Sequence, residues 1–172
     1  MPPPTFPVGP YAPERPVSPA RRAELIDEVA AAPGVFADSV RALTDAQLDA
    51  PYVNWSARQI VHHVADSHTN CLTRFKWALT EDHPTIKAYD ETAWADLPDA
   101  RADVALGLAL LSAVHAKWDA LLRRMGDADF ARTFHHPETN EDLRLDEVLP
   151  LYAWHARHHS GQIAWLRQHH GW

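Results

Sequence analysis

The most informative stretch of the chain lies near its C-terminus and reads Tyr152-Ala-Trp-His-Ala-Arg-His-His-Ser-Gly-Gln162. His155 and His159 stand four residues apart, so a helix projects both imidazoles from one face, one turn apart. The same spacing lets two helical histidines hold one metal ion in the HExxH motif. Because Ala156 follows His155, the glutamate of that motif is absent here. A third ligand and any general base must therefore come from elsewhere in the chain.

Candidates for the third ligand lie in a second histidine-rich helix, Trp55-Ser-Ala-Arg-Gln-Ile-Val-His-His-Val-Ala-Asp-Ser-His68. His68 is best centred on the apolar face of this helix, His63 lies towards the edge of that face, and His62 points mostly outward. Periodicity alone gives His68 and His63 similar weight. His115, in the apolar stripe of another helix, is favoured as a packed core histidine over a fourth ligand or a substrate contact. The pattern predicts a three-histidine metal site between two helices, with hydrogen-bonded core histidines as the alternative.

Polar residues continue along one side of the same helix after His63, at Asp66, Asn70 and Arg74. A solvated helix face is one explanation, with contacts among these neighbours worth only tenths of a kcal/mol. The other is the wall of a site, because amide and guanidinium donors beside a metal suit an anionic or polar substrate. We therefore predict that Asn70 and Arg74 contact the substrate. An ion pair of Arg74 with Asp66 or Glu81 is the alternative.

Apolar residues recur at spacings of three and four in four segments, which predicts four long helices. The helices are predicted over residues 19–43, 57–79, 104–125 and 146–169. Ser18 and Pro19 form a start signal for the first helix, Ser56 opens a capping box for the second, and Gly126 ends the third. Four such helices with one long crossover predict a four-helix bundle.

The segments around the helices complete a single all-α domain over residues 1–172. Residues 1–17 contain seven prolines and predict an extended arm that lies on the domain. Residues 80–102 predict a long crossover between helices two and three, with one short helix. Residues 134–145, which carry turn residues between short apolar ends, predict a small hairpin or an irregular loop.

Composition argues against several classes of function. The chain has a net charge of -7 and no run of Lys or Arg, which argues against nucleic acid or an anionic membrane as partner. No apolar run reaches the roughly 18 residues of a membrane span, and no signal peptide is apparent. The single Cys71 excludes an internal disulfide and a metal cage of several thiolates. We expect a cytoplasmic protein whose partner is a small molecule.

Trp55 is followed eight residues later by His63, and a distal pattern reads His155-x3-His159-x2-Gln162. These motifs resemble the DinB/YfiT-like family, and its YfiT branch in particular. Further stretches that carry the resemblance are Phe6–Gly9, Leu43–Tyr52, Arg58–His68, Arg74–Glu81, Pro84–Glu91 and Tyr152–His159. The resemblance covers nearly the whole chain and keeps its order.

The resemblance implies a metal-binding four-helix bundle, often dimeric, with zinc or nickel on His63, His155 and His159. Members of the family are described as metal-dependent hydrolases or as S-transferases that use bacillithiol, mycothiol or glutathione, including maleylpyruvate isomerases. Three protein ligands with an open fourth position are typical of catalytic sites. We therefore expect a homodimeric metal-dependent enzyme, either a hydrolase or a bacillithiol-type S-transferase whose thiol carboxylates contact Asn70 and Arg74. A metal-binding or sensor protein without catalysis is the alternative.

Overall fold

Four long helices dominate the structure, a computed structural model that describes residues 2–172. In chain order the elements are α1 (Pro19–Val40), α2 (Asp45–Leu48), α3 (Ala57–Thr80), α4 (Glu91–Ala95), a 3₁₀ turn (Pro98–Arg101), α5 (Val104–Leu122), α6 (Asp127–Phe130), β1 (Thr133–His136), β2 (Glu141–Arg144) and α7 (Leu145–His170). Helix α1 packs against α5 and α7, and α3 packs against the same two helices. The four therefore form a ring, and the predicted four-helix bundle is confirmed.

The predicted start signals are present as hydrogen bonds. The Ser18 hydroxyl accepts a hydrogen bond from the Arg21 amide at 3.2 Å, and Pro19 begins α1. Ser56 and Gln59 form a reciprocal capping box at the start of α3. Each cap satisfies amide groups that the first turn of a helix leaves without partners. The sequence therefore predicted the entry points of α1 and α3 correctly.

Two helix ends differ from prediction. Helix α1 ends at Val40 rather than at about Leu43, because Ala42 adopts a left-handed conformation with φ of 61°. Helix α5 ends at Leu122, and Gly126 does not form the predicted left-handed stop. Gly126 has an ordinary negative φ, and its amide donates to the Asp129 carboxylate at 2.9 Å, so it begins α6 instead.

The crossover and the predicted hairpin are joined to each other. Strands β1 and β2 pair antiparallel, with Thr133 opposite Arg144, which confirms a hairpin rather than an irregular loop. The Ile86 amide donates to the His135 carbonyl at 3.0 Å, so the first part of the crossover lies along β1. The rest of the crossover contains α4 and the 3₁₀ turn, one short element more than predicted. Helix α4 is thereby positioned beside α3, near the site described below.

The apolar core consists of two clusters. One contains Phe36, Ile60, Leu111 and Ile163, and the other contains Leu25, Phe75, Trp118 and Leu149. On α3 the first cluster ends at Ala65 and the second begins at Cys71, with the fully buried His68 between them. His115 likewise lies between Leu111 and Trp118 on α5. A layer of histidine therefore separates the two apolar clusters.

The N-terminal arm packs on α7, as predicted. The indole Nε1 of Trp154 donates to the Gly9 carbonyl at 3.0 Å. At Gly161 the arm approaches the helix closely, because a Cβ there would lie 3.0 Å from Cγ1 of Val8. A glycine at this position lets the arm reach the helix surface.

Helix α5 is, by length and composition alone, the one described helix that is long and apolar enough to cross a membrane. Leu111 and Trp118 on its inner face are buried in the core. Leu106 and Leu110 on its outer face are 62% and 43% exposed. The helix is thus part of the bundle on one side and presents apolar side chains to solvent on the other.

Candidate metal centre

Helices α3 and α7 bring together the three histidines that the sequence predicts as metal ligands. One ring nitrogen from each of His63, His155 and His159 can be chosen so that all three lie within 4.8 Å of one another. The Nε2 atoms of His63 and His155 are 3.3 Å apart. His63 and His159 are buried, and His155 is mostly buried, with a minor part of its side chain accessible.

The spacing of these nitrogens fits a metal ion. Zinc binds imidazole nitrogen at about 2.0–2.1 Å in tetrahedral geometry, which separates two ligand nitrogens by roughly 3.3–3.4 Å. The distance of 3.3 Å between the Nε2 atoms of His63 and His155 agrees with that value. The three side chains therefore suit a small divalent ion, with a further coordination position available to a molecule from solvent.

All three candidate ligands are held in the neutral form. Burial lowers the pKa of His63 to about 4, and nearby His158 acts in the same direction. Burial also lowers the pKa of His155 and of His159 well below the ordinary value. A neutral imidazole has a lone pair on one nitrogen, which is the form that binds metal. At neutral pH a metal ion therefore has no proton to displace from these rings.

A glutamine orients His159. The Nδ1–H of His159 donates to Oε1 of Gln162 at 2.8 Å, which leaves the lone pair on Nε2. The Gln162 amide NH₂ in turn donates to Nε2 of His158 at 3.2 Å. His158 is itself buried and stacks on Trp154 with ring centroids 4.8 Å apart. Such partners fix the ring orientation and tautomer of a metal-binding histidine.

His68, which periodicity ranked beside His63, lies behind the ligand cluster. Its Nε2 is 3.2 Å from Nδ1 of His155, and its Nδ1 is 2.8 Å from Nε2 of His115. The Nδ1 of His115 donates to the Val29 carbonyl at 2.5 Å. His115 is 1% exposed, in agreement with its prediction as a packed core histidine. The rings of His63 and His68 both lie within hydrogen-bonding distance of His155, so both residues lie on the side of α3 that faces α7. A helical period alone therefore could not choose between them.

The prediction that His62 points mostly outward is wrong. His62 is buried against α5, where a Cβ on Gly107 would lie 3.1 Å from its Nδ1. The glycine removes the side chain that would otherwise keep α5 away, so α5 covers a position at the edge of the apolar stripe. The Nε2 atom of His62 is buried and has no hydrogen-bond partner among the described residues.

Asn70 and Arg74 do not line the pocket that contains the histidines. The Asn70 side chain donates to the Asp66 carbonyl of its own helix at 3.0 Å. Arg74 is buried, and its Nη1 lies 3.5 Å from the Tyr152 hydroxyl. Within the described residues it forms no ion pair, so the alternative partners Asp66 and Glu81 are not engaged. Contact of Asn70 and Arg74 with substrate stays a prediction.

A pocket of about 470 Å³ opens onto the three histidines. It is lined by Thr5, Tyr52, Val53, Asn54, Trp55, Ile60, His63, Glu91, Thr92, Trp154, His155, His158, His159 and Gln162. Aromatic rings dominate the wall, and Trp55 packs on His63 with centroids 4.4 Å apart. Thr5 brings the N-terminal arm to the pocket, and Glu91 and Thr92 bring α4.

Glu91 is the one acidic side chain among the described residues that line this pocket. It remains accessible at the wall, yet the surrounding protein desolvates the carboxyl and raises its pKa, while Arg74 acts in the opposite direction. Sequence reasoning assigned no role to Glu91, although the stretch Pro84–Glu91 carries part of the family resemblance. Its position in the crossover gives no helical periodicity that would connect it with the histidines.

The fold and the site together define a class of protein: a helical metalloprotein in which a four-helix bundle holds neutral histidines at the wall of an aromatic pocket. The chain belongs to the DinB superfamily, whose family model matches residues 28–163. It is 43% identical over 171 residues to YfiT of Bacillus subtilis (strain 168), covering 98% of this chain and 96% of that relative.

Two solved structures resemble the fold. YfiT from Bacillus subtilis matches with a TM-score of 0.95 over 98% of both chains, and is described as "a probable metal-dependent hydrolase with an unusual four-helix bundle topology". A mycothiol-dependent maleylpyruvate isomerase matches with a TM-score of 0.63, covering 81% of this chain and 59% of that one. At 13% identity the second likeness concerns the fold alone.

Proposed function

We propose that this protein is a metal-dependent hydrolase of a small molecule, with His63, His155 and His159 as the metal ligands. The observation that carries the proposal is the set of three neutral imidazoles at metal-binding distance, open to a pocket that contains one acid, Glu91. The description of YfiT, the 43% identical relative, as a probable metal-dependent hydrolase supports the same activity.

A divalent ion held by the three histidines would supply Lewis-acid chemistry that acidifies a bound water molecule or thiol. The protein supplies the remaining functions of a hydrolase. The Glu91 carboxylate accepts a proton at Oε from the attacking water and returns it to the leaving group. The aromatic side chains of Tyr52, Trp55 and Trp154 hold an apolar portion of the substrate and exclude bulk water. Desolvation by the surrounding protein raises the pKa of the accessible Glu91 carboxyl towards neutral pH, where a general base is most effective.

The test begins with metal analysis of untagged protein and continues with a panel of small esters and amides. Glu91→Gln should lower kcat by about 10²–10⁴-fold and leave the metal content intact. Glu81→Gln is the control, because Glu81 is an exposed acid that does not line the pocket and is not among the groups that shift the pKa of Glu91. Equal kcat values for Glu91→Gln and the parent protein would refute the role of Glu91, and absence of bound metal would refute the metal site.

Transfer of a small thiol to an electrophile is the second candidate, and Arg74 is the observation that favours it. Its guanidinium is buried without a carboxylate partner among the described residues, and its Nε lacks any hydrogen-bond acceptor there. A buried guanidinium of this kind suits a ligand carboxylate, such as those of bacillithiol. Asn70, one turn away on α3, would contribute its amide.

One experiment on metal-loaded protein distinguishes the hydrolase from the transferase. Turnover of bacillithiol with a reactive electrophile favours the transferase, and turnover of an ester without thiol favours the hydrolase. For the transferase, Arg74→Gln should raise KM for the thiol at unchanged metal content, whereas the exposed Lys76→Gln on the same helix should not. Absence of both activities in protein that binds metal would favour a metal-binding or sensor protein.

We also propose that two copies associate through the outer face of α5. Leu106 and Leu110 are exposed there, and the small side chains of Ala109 and Ala113 let a second helix approach closely. Apolar patches on a protein surface commonly mark such contacts. Sedimentation equilibrium should report a dimer that Leu106→Glu converts to a monomer, and a monomeric parent protein would refute the proposal.

A further inference from the structure

We propose that His68 and His115 form a hydrogen-bonded relay that fixes the tautomer of His155 and so directs its Nε2 lone pair to the metal position. The relay begins at the backbone carbonyl of Val29 and ends at His155. The inference rests on the proposed metal ligation, and His68 and His115 act in it as positioning residues rather than ligands.

The relay begins at a carbonyl that the sequence of α1 leaves free. In an α-helix the carbonyl of Val29 would accept from the amide of residue 33, but residue 33 is proline and has no N–H. A buried carbonyl without a partner is costly, so another donor is needed. The Nδ1–H of His115 on α5 fills that position at 2.5 Å. Because a carbonyl can only accept, the proton of His115 must be on Nδ1.

The remaining proton positions follow in order. A neutral imidazole carries one N–H, so Nε2 of His115 is an acceptor and Nδ1–H of His68 donates to it at 2.8 Å. Nε2 of His68 is then an acceptor, and Nδ1–H of His155 donates to it at 3.2 Å. His155 is left with its lone pair on Nε2, which is 3.3 Å from Nε2 of His63.

The same assignment explains why His68 is not itself a ligand. Both of its ring nitrogens have hydrogen-bond partners, so neither is available to a metal ion. The four members of the relay come one each from α1, α5, α3 and α7, and His68 and His115 are 0% and 1% exposed. The orientation of one metal ligand is therefore tied to all four helices of the bundle.

The first test reads the tautomers in the metal-free protein by ¹⁵N NMR of the histidine rings. His68, His115 and His155 should all show the Nδ1–H tautomer. In His115→Phe the Nδ1–H of His68 loses its acceptor, so the tautomer signals of His68 and His155 should shift. An Nε2–H tautomer at His155 in the parent protein would overturn the relay.

The second test measures Co²⁺ affinity and the visible spectrum of the Co²⁺ complex. His68→Leu and His115→Phe should weaken binding by about 10–100-fold, the usual effect of removing a partner of a metal ligand. His68→Gln should restore most of the affinity, because an amide offers one donor and one acceptor, as His68 does in the relay. Equal affinity for His68→Leu and the parent protein would overturn the proposal.

His62→Leu is the matched control for loss of a buried histidine at the contact of α3 with α5. Its ring lacks a partner at Nε2 and belongs to no part of the relay, so Co²⁺ affinity should be unchanged. An equal loss in His62→Leu and His68→Leu would assign the effect to packing and refute the relay. If His68→Leu does not fold, His68→Gln and His115→Phe decide by the same criteria. Failure of the parent protein to bind Co²⁺ would refute the metal site alone, because the NMR test still decides the relay.

Discussion

The chain carries two groups of histidines with opposite partners. In the exposed group on the hairpin side, His83 and His135 both hydrogen-bond to the carboxylate of Asp142, at 3.1 and 2.9 Å. In the buried group, the hydrogen-bond partners of His155 and His159 are another ring and the amide of Gln162. The buried rings stay neutral because burial lowers the pKa of His155 and His159, and for His159 this outweighs the hydrogen bond with Gln162, which acts in the opposite direction.

The largest effect should come from removing one ligand of the buried group. His159→Ala deletes one of three imidazoles, so the variant should lose most of the roughly one equivalent of metal expected per chain. His83→Ala removes a histidine from the exposed group and should retain the full metal content. Elemental analysis of both variants after dialysis checks this. Full metal content in His159→Ala would show that the ligand set is wrong.

Acidification should separate the two groups next. His63 has a folded-state pKa of about 4 and an ordinary value near 6.5 in the unfolded chain, so protons bind the unfolded chain preferentially. Its stabilising contribution is complete above pH 6.5 and is lost as the pH falls from 6.5 towards 4. As the pH falls through that range, each histidine held neutral in this way reduces the free energy of unfolding by about 1.4 kcal/mol per pH unit.

Asp142 in the exposed group follows a different pH range. Its pKa is lowered chiefly by the hydrogen bond from His135, so its contribution persists until the pH falls below the ordinary carboxyl range. Urea unfolding of the metal-free protein between pH 7 and pH 5 should therefore report the buried histidines. Equal unfolding free energies at pH 7 and pH 5 would contradict the neutral cluster.

A smaller effect is expected from the neutral partner of His159. Gln162→Leu removes the acceptor for Nδ1–H of His159, and metal affinity should fall by about 10–100-fold. Competition with a chromophoric chelator gives the affinity. Gln162→Glu keeps the acceptor and introduces a carboxylate, as in the exposed group, and should bind metal more tightly than Gln162→Leu does. If both variants bind as the parent protein does, the partner of His159 has no influence on the metal.

The smallest effect should follow Asp142→Asn. Asp142 and its two histidine partners are exposed or partly exposed, and surface ion pairs contribute little to stability. We expect a fall in Tm of at most a few degrees and no change in metal content. A loss of metal in this variant would show that the exposed and buried groups are coupled.

Much of the fold could be predicted from local sequence because its signals are local. Caps at Ser18 and Ser56 and the apolar spacing of three and four depend on neighbours within one helix. The ends of α1 at Val40 and of α5 at Leu122 were mispredicted, because each depends on a residue that lies beyond the helix. Ala42 adopts a left-handed conformation after α1, and Gly126 contacts Asp129 after α5. Helix ends depend on such single contacts more than helix interiors do.

The site was predictable only in part, for the same reason. The spacing of His155 and His159 places them on one face, but the choice between His63 and His68 depends on how α3 lies against α7. Glu91 reaches the pocket through the path of the crossover, which no period in the sequence encodes. For His115 a signal was available in the sequence. Pro33 cannot donate to the Val29 carbonyl, so that carbonyl needs another donor, and His115 provides it.

The position of the N-terminal arm has a practical consequence for anyone who purifies this protein. Thr5 lines the pocket, the indole of Trp154 donates a hydrogen bond to the arm, and Gly161 leaves room for the arm to lie close to α7. A polyhistidine tag fused ahead of Pro2 would put extra imidazoles within a short tether of the metal position. Such a tag would load the site with nickel from the affinity resin or compete for its ion, so metal identity is best measured after the tag has been removed.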